Sequence, residues 1–139
     1  SNEKKAWKIA KFLNADYIIV IFGGASGYKF DDLYFSTTFL KSLEIEYKDV
    51  KIEDFFNSPF LSSENPTDSA KNSMIFKLSY YNFNKWILND KMKNGFDISR
   101  GLKVGCIEFK LELFKEVFTS KNWLFRVYRV FDDYVWNFN

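Results

Sequence analysis

Residues 17–24, YIIVIFGG, constrain the fold more than any other stretch: an unbroken apolar run that stops at two glycines. The run has no polar alternation and is rich in β-branched side chains. It therefore predicts a strand covered on both faces, as in a parallel sheet beneath helices. Gly23, Gly24 and Gly27 form a structural turn at its end, with backbone angles that only glycine tolerates. Before the strand, residues 3–14 set Ala6, Ile9, Ala10 and Leu13 at helical spacing among lysines. Ser1 and Asn2 are candidate caps there, and Asn14 suits a left-handed helix end. After the turn, YKFDD supplies Asp31 or Asp32 to open a helix running to about Leu43. Phe35, Phe39 and Leu43 fall on one stripe of it, read first as core, with Leu33 and Leu40 adjoining. Helix, strand, loop and helix in this order begin an α/β arrangement.

Downstream the pattern loosens. Residues 44–66 have no clear period, and NSPFLSSENP carries both prolines, so a loop is expected there. From Thr67 the helical period returns through Ala70, Met74, Leu78 and Tyr81, with Thr67 or Asp68 as cap. Gly95, Gly101 and Gly105 read as turn residues, and Arg100 is placed to pair with Asp97 across a turn. Residues 107–113 alternate Ile107, Phe109, Leu111 and Leu113 with charges, which favours a strand. A last strand begins at Asn122, with Trp123, Phe125, Val127 and Phe131 facing one way and Arg126 and Tyr128 the other. The expected fold is a single mixed α+β (α/β) domain over residues 1–139. It has a small, mostly buried sheet covered by helices and joined by long irregular connections. Seventeen Phe, eight Tyr and four Trp make its core aromatic, since each buried Phe contributes about 1.5–3 kcal/mol over an exposed one.

Several chemistries are excluded. The chain has no histidine and one cysteine, Cys106. A Ser–His or Cys–His nucleophile within it, a His/Cys zinc site and an intrachain disulfide are all ruled out. Cys106 reads as a small buried residue. A net charge of +2, with lysines and acids alternating, argues against nucleic acid as a partner. The mixture Trp123, Arg126, Tyr128 and Arg129 is what a half-buried strand produces. The Gly23–Gly27 turn lacks both the GxGxxG spacing and a Gly-Lys-Ser/Thr ending, so it is no phosphate loop. A small nucleotide-using enzyme is accordingly disfavoured. Asp132 and Asp133 point to opposite faces of a strand and share no site. Asn65 precedes Pro66, which forbids glycosylation there. No run approaches the roughly 20 apolar residues of a membrane span, and the charged start is not a signal peptide.

Five segments keep one order: YIIVIFGG, GYKFDD (27–32), NSMIFKLSYYNF (72–83), GFDISR (95–100) and TSKNWLFRVYRV (119–130). Together they make the chain, from about Ser1 to Val130, resemble the C-terminal lumenal domain of the catalytic subunit of eukaryotic oligosaccharyltransferase. The resemblance implies the soluble domain of a larger membrane glycosyltransferase of the endoplasmic reticulum, whose membrane-embedded part is absent here. Such an enzyme transfers a preassembled glycan from dolichyl diphosphate to Asn in Asn-x-Ser/Thr. It implies an acceptor polypeptide and the other oligosaccharyltransferase subunits as partners, with the membrane reached only through the missing upstream part. It places Mn or Mg in the full-length enzyme, with no cofactor and no catalytic residue in this stretch.

In the family the helix after the glycine turn carries Asp, then Lys three residues on, then Met or Ile four further, near the pocket that reads the acceptor hydroxyl. These positions are Asp32, Phe35 and Phe39 here. Only the Asp is kept, so Asp32 and Phe39 are the candidate acceptor contacts. A charged donor of the kind lost at Phe35 can contribute about 1.5–3 kcal/mol to a hydrogen bond. From residue chemistry alone, Asp32 also reads as a helix cap or first-turn acid. The family's Trp-Trp-Asp motif has no counterpart. A protein-interaction module of the same fold without transferase activity is the alternative reading.

Overall fold

The computed structural model describes residues 2–49, 51, 54, 66–85, 95–104 and 109–132. Helix α1 (Asn2–Phe12) has Glu3 in its first turn and Lys11 in its last, the arrangement the helix dipole favours. It ends at Asn14, whose φ of 54° is the left-handed conformation expected there. Strand β1 (Tyr17–Ile21) follows, and then α2 (Asp32–Glu46). Two short helices, α3 (Asp68–Asn72) and α4 (Met74–Tyr80), precede a 3₁₀ turn at Phe83–Lys85. A turn over residues 98–101 joins β2 (Phe96–Asp97) to β3 (Leu102–Lys103) in an antiparallel hairpin. Strands β4 (Phe114–Thr119) and β5 (Phe125–Val130) complete the main sheet. The result is the expected mixed α+β fold.

The sheet corrects the reading of YIIVIF. Its order is β1-β5-β4 and both pairings are antiparallel, so no parallel crossover exists among the described strands. Strand β1 lies at an edge, and Tyr17 and Ile19 are 58% and 63% exposed. Only the other face, through Val20 and half-buried Ile18, meets the helices. β-branching encodes strand formation, but it does not say how many faces are covered.

Strand β5 divides its two faces as expected, and the inward one is the face that carries the arginine. Arg126, Tyr128 and Val130 point inward at 1%, 0% and 2% exposure, while Phe125 is half exposed. The cause lies in α4, whose end leaves carbonyls without intrahelical donors. Arg126 Nη1 donates to Leu78 O at 3.2 Å and Ser79 O at 2.9 Å, and the Tyr128 hydroxyl donates to Leu78 O at 2.5 Å. A cation is favoured at such a helix end.

Smaller departures have local causes. The helix expected from Thr67 to Tyr81 breaks at Ser73, because Ser73 leaves helical geometry and its hydroxyl caps α4 at Phe76 N–H. Of the expected strand at 107–113, residues 109–113 precede β4, and 105–108, with Gly105 and Cys106, lie outside the described residues. Most of the predicted loop in 44–66, and Asp133, lie outside them as well. The core has two parts. One, around Val20, Leu78, Phe114 and Tyr128, sits between sheet, α1 and α4. The other, around Phe22, Leu33, Phe76, Tyr80 and Phe83, lies under the glycine turn.

Candidate functional site

The second core builds the site. Phe22 carries the chain from β1 into the interior, with its ring edge-on to Tyr80 and Phe83 at 5.0 Å from each. The turn then folds over it. Gly23 and Gly24 are needed for space rather than for backbone angle, since only Gly27 of the three has positive φ, 82°. A Cβ on Gly23 would lie 1.6 Å from Tyr28 O, and one on Gly24 would lie 2.4 Å from the Phe22 ring.

The turn hands the chain to α2, and Asp31 is its cap. Asp31 Oδ1 accepts from Tyr34 N–H at 3.1 Å, and Oδ2 accepts from Gly23 N–H at 2.8 Å. One carboxylate thus fixes both ends of the turn. The GFDISR segment closes the assembly from the other side. Ile98 N–H donates to Gly24 O at 2.7 Å, and the Ser99 hydroxyl is shared between Gly23 O and Tyr28 O.

Beneath the turn lies a fully occupied charge cluster. Arg100 Nη1 donates to Asp97 Oδ2 at 2.9 Å, the turn-spanning pair expected, and Arg100 Nη2 donates to Asp31. Asp97 Oδ1 takes Arg100 N–H at 2.9 Å, and Oδ2 also takes the Tyr80 hydroxyl at 2.5 Å. Both aspartates have no exposed surface. Burial, then the Asp97 charge, pushes the Tyr80 hydroxyl well above its ordinary pKa. Burial works to lower the Arg100 pKa, but Tyr80, Asp97 and Asp31 together hold it above its ordinary value. The pairing of Asp31 with Arg100 and the inclusion of Tyr80 went unread in the sequence. The acid pair at the start of α2 and the acid-to-basic spacing in FDISR were the available signals.

The cluster positions the exposed start of α2. Half-buried Asp32 accepts from Ile21 N–H through Oδ2 at 2.8 Å, and its Oδ1 has no hydrogen-bond partner among the described residues. Asp32 therefore bridges β1 and α2 while one oxygen remains able to accept. The stripe read as core is not core: Phe35 is 57% exposed and Phe39 63%, whereas Leu33 and Thr37 are the buried positions. Tyr28, Phe30, Tyr34 and Phe35 form a run of edge-to-face rings along this surface. Phe39 stands at the lip of an apolar groove of about 220 Å³ between α2 and α3–α4, lined by Leu33, Leu40, Ala70 and Phe76. Chemically, this face offers one carboxylate oxygen beside a broad apolar surface.

Among the described residues no three His, Cys, Asp or Glu side chains gather to hold a metal ion. The two buried aspartates are committed to Arg100. No described helix is long and apolar enough to cross a membrane.

This α+β domain is related in sequence to glycosyltransferase subunits. The chain is 34% identical over 132 residues to the dolichyl-diphosphooligosaccharide–protein glycosyltransferase subunit stt-3 of Caenorhabditis elegans, covering 93% of the chain and 17% of that protein. It is 35% identical to subunit STT3 of Dictyostelium discoideum, covering 95% of the chain and 19% of that protein. The Arabidopsis thaliana subunit STT3B shares 32% identity over 94% of the chain. The chain thus spans less than a fifth of the length of these curated relatives. No protein-family model matches it. Over nearly its whole length the chain is homologous to one portion of the STT3 subunits, as its motifs had indicated.

Proposed function

We propose that the chain serves as the lumenal acceptor-handling domain of an oligosaccharyltransferase catalytic subunit in the endoplasmic reticulum. The intact enzyme transfers a preassembled glycan from dolichyl diphosphate to Asn in Asn-x-Ser/Thr. The observation that carries this reading is the similarity to STT3 subunits across nearly all of the chain. The geometry supports the acceptor role through Asp32, whose Oδ1 is available to a hydroxyl donor. The rigid turn and the Asp31–Arg100–Asp97 cluster hold it in place.

In this reading Phe35 supplies apolar contact in place of a cationic donor, Phe39 supplies it at the Met or Ile position, and the remaining exposed surface meets other subunits. Metal, lipid-linked donor and chemistry belong to the rest of the enzyme, so the 139-residue chain alone transfers no glycan.

The test is a titration of the isotope-labelled chain with an Asn-x-Thr peptide, using Gln-x-Thr and Asn-x-Ala peptides as controls, followed by NMR. Shifts from Asp32 to Lys41 that require the threonine are expected. Shifts that persist unchanged with Asn-x-Ala would remove the hydroxyl-reading role. Glycan transfer by the isolated chain would overturn the division of labour.

A further inference from the structure

A second site lies where TSKNW meets the chain just beyond α4, against the Phe83 side of the second core. Among the described residues three non-glycine residues have positive φ, and one of them merely ends α1. The other two, Asn82 at 58° and Trp123 at 60°, both border a single polar pocket of about 320 Å³. A left-handed tryptophan is a true outlier, and such backbone persists where the surroundings over-determine it. Here Trp123 N–H bonds Ser120 O at 2.8 Å, and its ring lies against Phe83 on one side and under the Arg126 guanidinium, 4.4 Å from the ring centroid. The strained residue thus orients an arginine.

That arginine is only 1% exposed and contributes to the pocket lining, together with Lys85 and Lys121. Its Nε donates to Thr119 Oγ1 at 3.3 Å and its Nη1 to the two α4 carbonyls. Nη2 has no partner among the described residues. None of the three cations has a carboxylate within 4 Å among those residues, since the ion pairs there involve Lys11 and Arg100. Glu116 is the one acid in the lining, and it accepts from the Thr119 hydroxyl at 2.7 Å. Three cations against one acid leave the pocket with a net charge of +2.

We propose that this pocket binds a phosphate-type dianion, with Arg126 at its floor and Lys85 and Lys121 at its rim. A phosphate group carries about −1.5 to −2 charges near neutral pH, which balances the lining, whereas a carboxylate leaves one positive charge over. The arginine fork suits phosphate oxygens, and the lysines act as point charges. The volume admits more than phosphate itself, so the source is either the free ion or a phosphate monoester of a small polar molecule.

The test is NMR of the 139-residue chain titrated with inorganic phosphate and, separately, with a hexose 6-phosphate, at constant ionic strength. The expected result is saturable shifts at the Trp123 indole, the Arg126 Nε–H and the 120–121 amides, with Kd of about 1–10 mM. Binding should weaken as the ligand dianion takes up a proton, below about pH 7 for inorganic phosphate and below about pH 6 for the ester. The surface variant Lys85→Glu/Lys121→Glu leaves the Arg126 packing intact and should raise Kd at least about tenfold. Tighter binding of the hexose phosphate would identify an ester as the ligand, and equal binding the free ion. Unmoved pocket signals at about 50 mM phosphate, or an unchanged Kd in the double variant, would overturn the site.

Discussion

Arg126 is buried in this domain and Arg100 largely so, and their surroundings differ in kind. Arg100 sits between two fully buried aspartates and a tyrosine hydroxyl, so its charge is matched by charge. Among the described residues Arg126 bonds helix-end carbonyls and a threonine hydroxyl and lies over an aromatic face, and the nearby acid, Glu116, makes no ion pair with it. Burial, the dominant influence, lowers the Arg126 pKa, whereas its partners hold that of Arg100 up. The first arginine is a closed knot under the glycine turn. The second is a cation with capacity to spare. A buried charge that is fully paired reads as architecture, and one that is under-paired beside a cavity reads as a site.

The largest expected effect tests that contrast directly. Arg100→Met leaves Asp31 and Asp97 buried without their cation and should cost about 3–5 kcal/mol in urea unfolding. Arg126→Met removes hydrogen bonds to neutral acceptors and should cost less, about 1–3 kcal/mol. Equal losses would erase the distinction.

A double-mutant cycle between Arg100→Met and Asp97→Asn sharpens it. Removing the second charge should recover part of the loss, with a coupling of about 1–3 kcal/mol. Strict additivity would show that the pair is not energetically linked.

Alkaline pH probes both regions through their tyrosines. Burial, seconded by Asp97, raises the Tyr80 pKa; burial also raises that of Tyr128, with Arg126 opposing. Both stay protonated in the folded chain above their ordinary pKa of 10.0. The unfolded chain loses these protons first, so their stabilisation is intact below that pH and declines as pH rises toward the folded values. Melting temperature should therefore fall above pH 10, with a shallower decline in Tyr80→Phe; an identical decline would remove Tyr80 from the account. The smallest effect belongs to the exposed stripe. Phe35→Ser and Phe39→Ser should each change stability by no more than about 0.5 kcal/mol while weakening any acceptor-peptide shifts.

What the sequence made legible follows from how local each signal is. The strand-to-glycine turn, the acid that opens α2, the left-handed Asn14 and the Asp97–Arg100 pair all depend on neighbours within a few residues, and all are present. The division of β5 into two faces was legible, but which face turns inward was not. The deciding partners, the Leu78 and Ser79 carbonyls, lie 47 to 50 residues away. The covering of β1 failed for the same reason, since one exposed face depends on what packs there. Of the candidate acceptor contacts, Asp32 and Phe39 both lie on α2, yet the cluster that fixes its start draws on Arg100, 69 residues beyond Asp31.

The way the sheet closes carries one more consequence, in folding order. Among the described strands β1 pairs only with β5, so Tyr17 waits for Arg129 and Ile21 for Phe125. Helix α1 is tied to the same late arrivals: Glu3 accepts the Leu113 N–H, 110 residues on, and the Trp7 indole donates to Phe131 O, 124 residues on. During synthesis the first strand therefore emerges as an unpaired apolar edge and stays one until almost the whole domain has been made. Long-range closure of this kind is slow, and an open strand edge invites the wrong partner meanwhile. The domain's vulnerable moment is its birth rather than its folded life.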